Sequence, residues 1–269
     1  MVETDHLPRV DETAVGHRWF PKFGGKGGNQ AIAAMPARMV GAIGADDFGK
    51  FLRGSLDLAG VDHTHVSTLA QTPSGMSVAT MNAQGDYAAT IVSGANLAID
   101  PASLDAADIW GNVGTLVLQN EVPEAVNLAA ARAARIRNVP VVLNAAPARV
   151  LSPEFAQLVD ILIVNAVEAE MFGTPPVTDL ASAKIAATVL SGSFPTVVVT
   201  AGSKGLAWQA AGSTACALPA IKVDAVSSHG AGDCFTGALA KSLNLGMPLD
   251  AACKAAAEAA AVHVSKSIV

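Results

Sequence analysis

Toward the carboxyl end of the chain, three small residues, Gly230, Ala231 and Gly232, run directly into Asp233 and then into the apolar stretch "CFTGAL". Two chemistries fit this order. Asp is a preferred residue just outside the first turn of a helix, where its carboxylate caps a backbone N–H. Exposed N–H groups at a helix start also form an anion site, and a carboxylate beside them can serve as a general base. Three further clusters carry polar groups. In "FGGKGGNQAIAA" (23–34), four glycines surround Lys26 before Asn29 opens a helical run, so the backbone at Gly24 and Gly25 can approach a polar ligand closely. The spacing of a P-loop is absent and no strand leads in as a dinucleotide fingerprint requires; a plain glycine-rich turn is the competing reading. "TAGSKG" (200–205) places Thr200, Gly202 and Gly205 in a tight turn whose N–H groups suit nucleotide phosphates, or in an ordinary hairpin turn into "LAWQA". "NAVEAE" (165–170) sets Asn165 and Glu168 three apart, as oxygen ligands for Mg²⁺ through water or as an Asn cap with an acidic first turn.

These residues need elements to hold them. "TLVLQ" (115–119), "VPVVLN" (139–144), "DILIVN" (160–165) and "TVVVT" (196–200) are continuous apolar runs ending in polar residues, as strands buried on both faces of a parallel sheet read. Helical spacing fills the intervals at 123–137, 153–159 and 179–192. The alternation predicts a doubly wound, mostly parallel α/β sheet flanked by helices, with ligands collecting at the strand carboxyl ends. Asn120, Glu121, Asn144, Asn165 and Thr200 stand at those ends. Residues 66–95 alternate small and apolar residues around "NAQGD" and predict an antiparallel hairpin, with residues 8–22 as a further strand. Together they make a small antiparallel β lid on a single domain over 1–269.

Composition narrows the function. A net charge of −6 and a pI near 5.4 exclude the basic stripe that nucleic acid requires. Residues 1–20 are polar and charged, without a secretory signal, and no apolar stretch reaches membrane-spanning length. Cys216, Cys234 and Cys253 show no metal-ligand spacing and suit a reducing cytoplasm.

In order along the chain, "GGKGGNQA", "PSG" (73–75), "SGAN" (93–96), "LNAAPA" (143–148), "NAVEAE", "TAGSKG" and "GAGDCFTGAL" resemble the ribokinase group of the PfkB carbohydrate kinases, over nearly the whole chain. The resemblance implies ATP-dependent transfer of a γ-phosphoryl group to a sugar hydroxyl, with ribose or a related pentose as acceptor. It makes Asp233 the base, with N–H groups of Gly230, Ala231 and Gly232 facing the transferring phosphoryl. Gly24, Gly25, Lys26, Asn29 and Glu121 would bind the sugar. Asn165, Thr200, Gly202 and Gly205 would lie along the nucleotide, and Asn165 with Glu168 would organise Mg²⁺. Homodimerisation through the lid is compatible with its apolar faces.

Three departures stand out. The family's first strand, whose Asn and Asp grip the sugar hydroxyls, has no counterpart in "MVETDHLPRVDET". The stretch from Asn29 to Gly44 is short, and Pro36 falls where the helix should still run. Ser227 replaces the Asp associated with a monovalent-cation site, so K⁺ dependence is expected to be weak or lost. His229 reads as a local loop substitution. A nucleoside kinase of the same family and a sugar- or nucleotide-binding protein without catalysis are the alternative readings.

Overall fold

Apolar runs without polar alternation fold as interior strands, because a strand covered on both faces has no solvent side. The computed structural model describes residues 1–84, 87–224 and 227–265. In chain order it contains β1 (Val2–Thr4), β2 (Gly16–Trp19), α1 (Lys26–Ala34), β3 (Arg38–Gly44), α2 (Asp47–Ala59) and β4 (Asp62–Leu69). There follow β5 (Met76–Met81), β6 (Tyr87–Val92), β7 (Leu116–Gln119), α3 (Glu124–Ile136), β8 (Val141–Asn144) and α4 (Pro153–Ala156). The chain continues through β9 (Ile161–Asn165), α5 (Ala166–Met171), α6 (Leu180–Leu190) and β10 (Thr196–Thr200). It ends with β11 (Gly205–Ala210), β12 (Cys216–Pro219), α7 (Ala231–Asn244) and α8 (Leu249–Ser265).

The main sheet has six strands in the order β12-β11-β10-β9-β8-β7. β7 to β10 run parallel, and β11 and β12 add antiparallel at one side. Alternating side chains sort into two layers. Val141, Leu143, Leu162, Val164, Val197 and Val199 pack with residues of α3 and α6, while Val142, Ile163 and Val198 pack with Phe235, Leu239 and Cys253 of α7 and α8. The expected helix over 153–159 shrinks to the single turn of α4, although Phe155 within it is completely buried.

β3 and β4 form a separate parallel pair, with no ladder joining them to β7 among the described residues. The sequence departure at the first strand thus corresponds to a parallel sheet in two pieces. α1 bridges them: Ala31 packs toward the Ile43–Leu56–Val66 cluster, while the Gln30 side chain meets Gln119 of β7. The helix begins at Lys26, earlier than the expected start at Asn29, and ends at Ala34, before Pro36 can remove a bond from its interior.

The expected lid appears as a four-stranded sheet, order β2-β1-β5-β6, with β5 and β6 as the antiparallel hairpin. Its limits differ from those read in the sequence. Residues 2–4 supply a strand that pairs antiparallel with β2 and parallel with β5. Residues 66–69 belong instead to β4, because Val66 is buried in the β3–β4 cluster. Gly85 and Asp86 of the expected "NAQGD" turn, and Val226 ahead of the Gly230 loop, lie outside the described residues. Cys216 and Cys253 are free, and burial pushes the Cys253 thiol up to about 12, which keeps it protonated and unreactive. No helix among the described residues is long and apolar enough to cross a membrane.

α1 and α7 cross at Gly237, where a Cβ would collide with the Gln30 carbonyl and lie 2.6 Å from the Ala33 Cβ. Gly237→Ala should therefore force the helices apart and cost about 1–3 kcal/mol. Thermal unfolding checks this; a melting temperature equal to the parent's would show that the crossing tolerates the methyl.

Candidate active site

The loop before α7 turns at Gly230, whose φ of 77° is left-handed and whose absent Cβ leaves room for the His263 ring. Among the described residues no side chain caps the helix that follows. The Ala231 N–H reaches back to the Ser228 carbonyl at 3.3 Å, a long bond that an incoming anion can replace. Among the described residues nothing lies within 4 Å of where a Cβ on Gly232 would stand, so the helix start is open on that side. The end of α8 supports the loop: Ser227 N–H donates to the Val264 carbonyl at 3.3 Å, and His263 Nε2 lies 3.0 Å from the His229 carbonyl.

Asp233 is the third helical residue, not the cap. Its side chain is 8% exposed and turns away from its own helix toward α1. Asn29 Nδ2 donates to Asp233 Oδ2 at 3.1 Å, and Gln30 Nε2 donates to Oδ1 at 3.0 Å. Of the two local chemistries, capping is thereby removed, and a buried carboxylate beside an open helix start remains. Lys26 opens α1, and its backbone N–H donates to Glu121 Oε2 at 2.9 Å, which ties the end of β7 to the glycine-rich loop. Gly24 and Gly25 have open space around them.

At the ends of β9 and β10, Asn165 and Thr200 sit opposite one another in register. Asn165 and Glu168 form a reciprocal capping box: Asn165 Oδ1 accepts from the Glu168 N–H, and Glu168 Oε2 accepts from the Asn165 N–H, both at 2.8 Å. Asn165 is therefore committed to holding the helix start. Burial pushes the Glu168 carboxyl above its ordinary range against the Asn165 hydrogen bond; the charge of Lys26 opposes the rise and that of Asp233 adds to it. Glu168, Lys26 and Asp233 thus share one electrostatic environment. Among the described residues no group of three or more His, Cys, Asp or Glu side chains could hold a metal alone. A single buried carboxylate with an oxygen outside the capping box fits an ion held mainly by phosphate oxygens and water.

Gly202 is exposed with φ 54°. Gly205 is buried, opens β11 and pairs with Pro219 of β12. The hairpin reading of "TAGSKG" thus accounts for Gly205, which is not open to a ligand. Sequence reasoning missed Gln30, Gln119 and Lys22. Gln30 had a signal, being the residue after Asn29 in the same motif; Lys22 is partly desolvated and its charge is felt at His229. Loss of solvent is the main cause lowering the His229 imidazole below its ordinary range, followed by Lys22.

With this geometry in place, comparisons with known proteins add the following. A family model described as pfkB family carbohydrate kinase matches residues 2–268. A ribokinase of Haemophilus influenzae is 30% identical over 99% of this chain and 89% of its own length. A ribokinase of Bacillus subtilis is 31% identical over 98% of this chain and 88% of its own. The structure of Arabidopsis thaliana ribokinase complexed with ribose and ATP superposes with a TM-score of 0.88 at 29% identity, covering 100% of this chain and 89% of that one.

The raised Glu168 carboxyl yields a stability test. The folded state holds a proton there that the unfolded chain releases, so stability falls as pH rises from about 4.5 through the raised folded value. Glu168→Gln keeps an oxygen for the cap and removes the ionisation. Denaturant unfolding at about pH 4 and about pH 8 should show the variant gaining on the parent at the higher pH. An unchanged difference would remove Glu168 from the buried electrostatic group.

Proposed function

The chain belongs to the pfkB family of carbohydrate kinases, and from that premise we propose an ATP-dependent kinase acting on a hydroxyl of ribose or a related pentose. One observation carries the reading: a buried carboxylate, Asp233, lies beside an uncapped helix start and is held by side chains of the glycine-rich loop's own helix. The ribokinase relatives support the pentose, and the ribose and ATP of the Arabidopsis structure support the pair of substrates.

In this mechanism Gly24, Gly25, Lys26, Asn29 and Glu121 hold the sugar at the start of α1. Asp233 takes the proton of the attacking hydroxyl as its oxygen bonds to the γ-phosphorus. The bond from γ-phosphorus to the bridging oxygen breaks, and its electron pair leaves with ADP. The N–H groups of the Gly230–Ala231–Gly232 turn face the charge spread over the transferring phosphoryl, where fixed dipoles do most of the work. Asn165, Thr200 and Gly202 line the nucleotide side, with Gly205 confined to shaping the turn. Mg²⁺, when bound, would supply positive charge that offsets the charge of the phosphates. Glu168 would hold that ion through water, positioned by Asn165.

The match over 2–268 supports one kinase domain. The four-stranded sheet serves as its lid, and exposed Trp19, Val78 and Ile91 on that sheet support homodimerisation there. The free thiols of Cys216 and Cys253 support a cytoplasmic setting. Weak dependence on K⁺ is supported by the loop itself, since the His229 carbonyl already faces His263 and Ser227 carries no charge.

ADP release by the purified protein with Mg²⁺, across pentoses, hexoses and nucleosides, should show turnover on a pentose. Asp233→Asn should lower kcat by roughly 10²–10⁴-fold while the protein stays folded. Turnover confined to nucleosides overturns the sugar assignment, and unchanged turnover in Asp233→Asn removes the base. Replacing K⁺ by a bulky organic cation at constant ionic strength should leave the pentose rate within about twofold, set against the tenfold that 1.4 kcal/mol of cation-dependent stabilisation would cost.

A further inference from the structure

The two oxygens of Asp233 are not held alike. Oδ2 meets Asn29, which is only partly buried, at 3.1 Å. Oδ1 meets Gln30, which is 2% exposed and has a second partner of its own. Gln119 Nε2 donates to Gln30 Oε1 at 2.6 Å, and the Gln119 backbone carbonyl is held by Asn127 Nδ2 at 2.8 Å. A side-chain amide presents its oxygen in one direction and its N–H groups in the other. With Gln119 donating to the oxygen of Gln30, only the N–H end of Gln30 remains for Asp233. Reversing Gln30 would set its oxygen against the carboxylate and its N–H against another N–H, opposing like partial charges at both ends.

We infer that Gln119 and Gln30 are positioning residues that lock Asp233 through Oδ1, leaving Oδ2 as the oxygen that takes the sugar hydroxyl proton once Asn29 lets go. The inference rests on Asp233 being the base. Gln119 acts on Gln30, and Gln30 acts on Asp233. The relay from Gln119 through Gln30 thus selects which face of the carboxylate works. The same fully buried amide would be a mere satisfied core residue if its orientation were without effect on turnover.

The test is a cycle of full-length variants, each confirmed folded by its melting transition, measured for kcat and for KM with the sugar. The parent is measured first; no turnover there overturns the kinase reading and this proposal with it. In Gln119→Glu the new carboxylate only accepts, so it repels the Gln30 oxygen and competes with Asp233 for the Gln30 N–H groups. Its kcat should fall about tenfold or more, the effect of losing a hydrogen bond to a charged group, with KM within about twofold. Gln30→Met removes the relay, and adding Gln119→Glu to it should change kcat by less than about twofold, because Gln119 acts only through Gln30. Gln119→Leu, which leaves Gln30 without its orienting donor, repeats the cycle without a new charge should the carboxylate prevent folding. An equal loss from Gln119→Glu in both backgrounds would show direct action of its charge and overturn the relay. So would an unchanged kcat, or a change confined to KM.

Discussion

Burying a carboxylate costs several kcal/mol unless donors meet it. The donors that meet Asp233 are the amides of Asn29 and Gln30 on α1. The crossing of α1 over α7 is therefore the constraint on which the site depends. It needs a residue without a side chain at Gly237, and it orients the start of α1. Once α1 is set, the Lys26 N–H meets Glu121 and the Gln30 oxygen meets Gln119. One helix thereby ties both the glycine-rich loop and the end of β7 to the buried carboxylate.

The sheet supplies the second half. Parallel strands end on one side, so Gln119, Asn144, Asn165 and Thr200 arrive together: Gln119 opposite Asn144, and Asn165 opposite Thr200. Opposite-sense strands could not bring so many consecutive polar ends to one edge. The capping box then places Glu168 where it shares an electrostatic environment with Lys26 and Asp233.

Several readings depended on telling local chemistry from ligand chemistry. "NAVEAE" has the composition of an oxygen-ligand pair and the spacing of a capping box; the cap uses the Oδ1 and backbone N–H of Asn165, which makes it a support for Glu168. Gly205 looked like a phosphate contact because glycine in a tight turn has free N–H groups, but its place opposite Pro219 buries it. The lid limits were misjudged for a related reason. Alternation marks a strand and not its partner, so residues 66–69 could join either sheet, and the strand at residues 2–4 is too short to show a period.

Local pattern alone determined the alternation of parallel strands and helices in the main sheet, the motif set of the sugar-kinase family and the choice of Asp233 as the candidate base. Hydrophobic period, glycine placement and caps act over a few residues, so they are written in consecutive residues. Only the tertiary structure decided that Asp233 is held from α1 instead of capping α7. Gln30 and Asp233 are 203 residues apart, and Gln119 stands 89 residues from Gln30. Which amide meets which carboxylate oxygen depends on how two helices cross over a strand end, and no spacing along the chain encodes that angle.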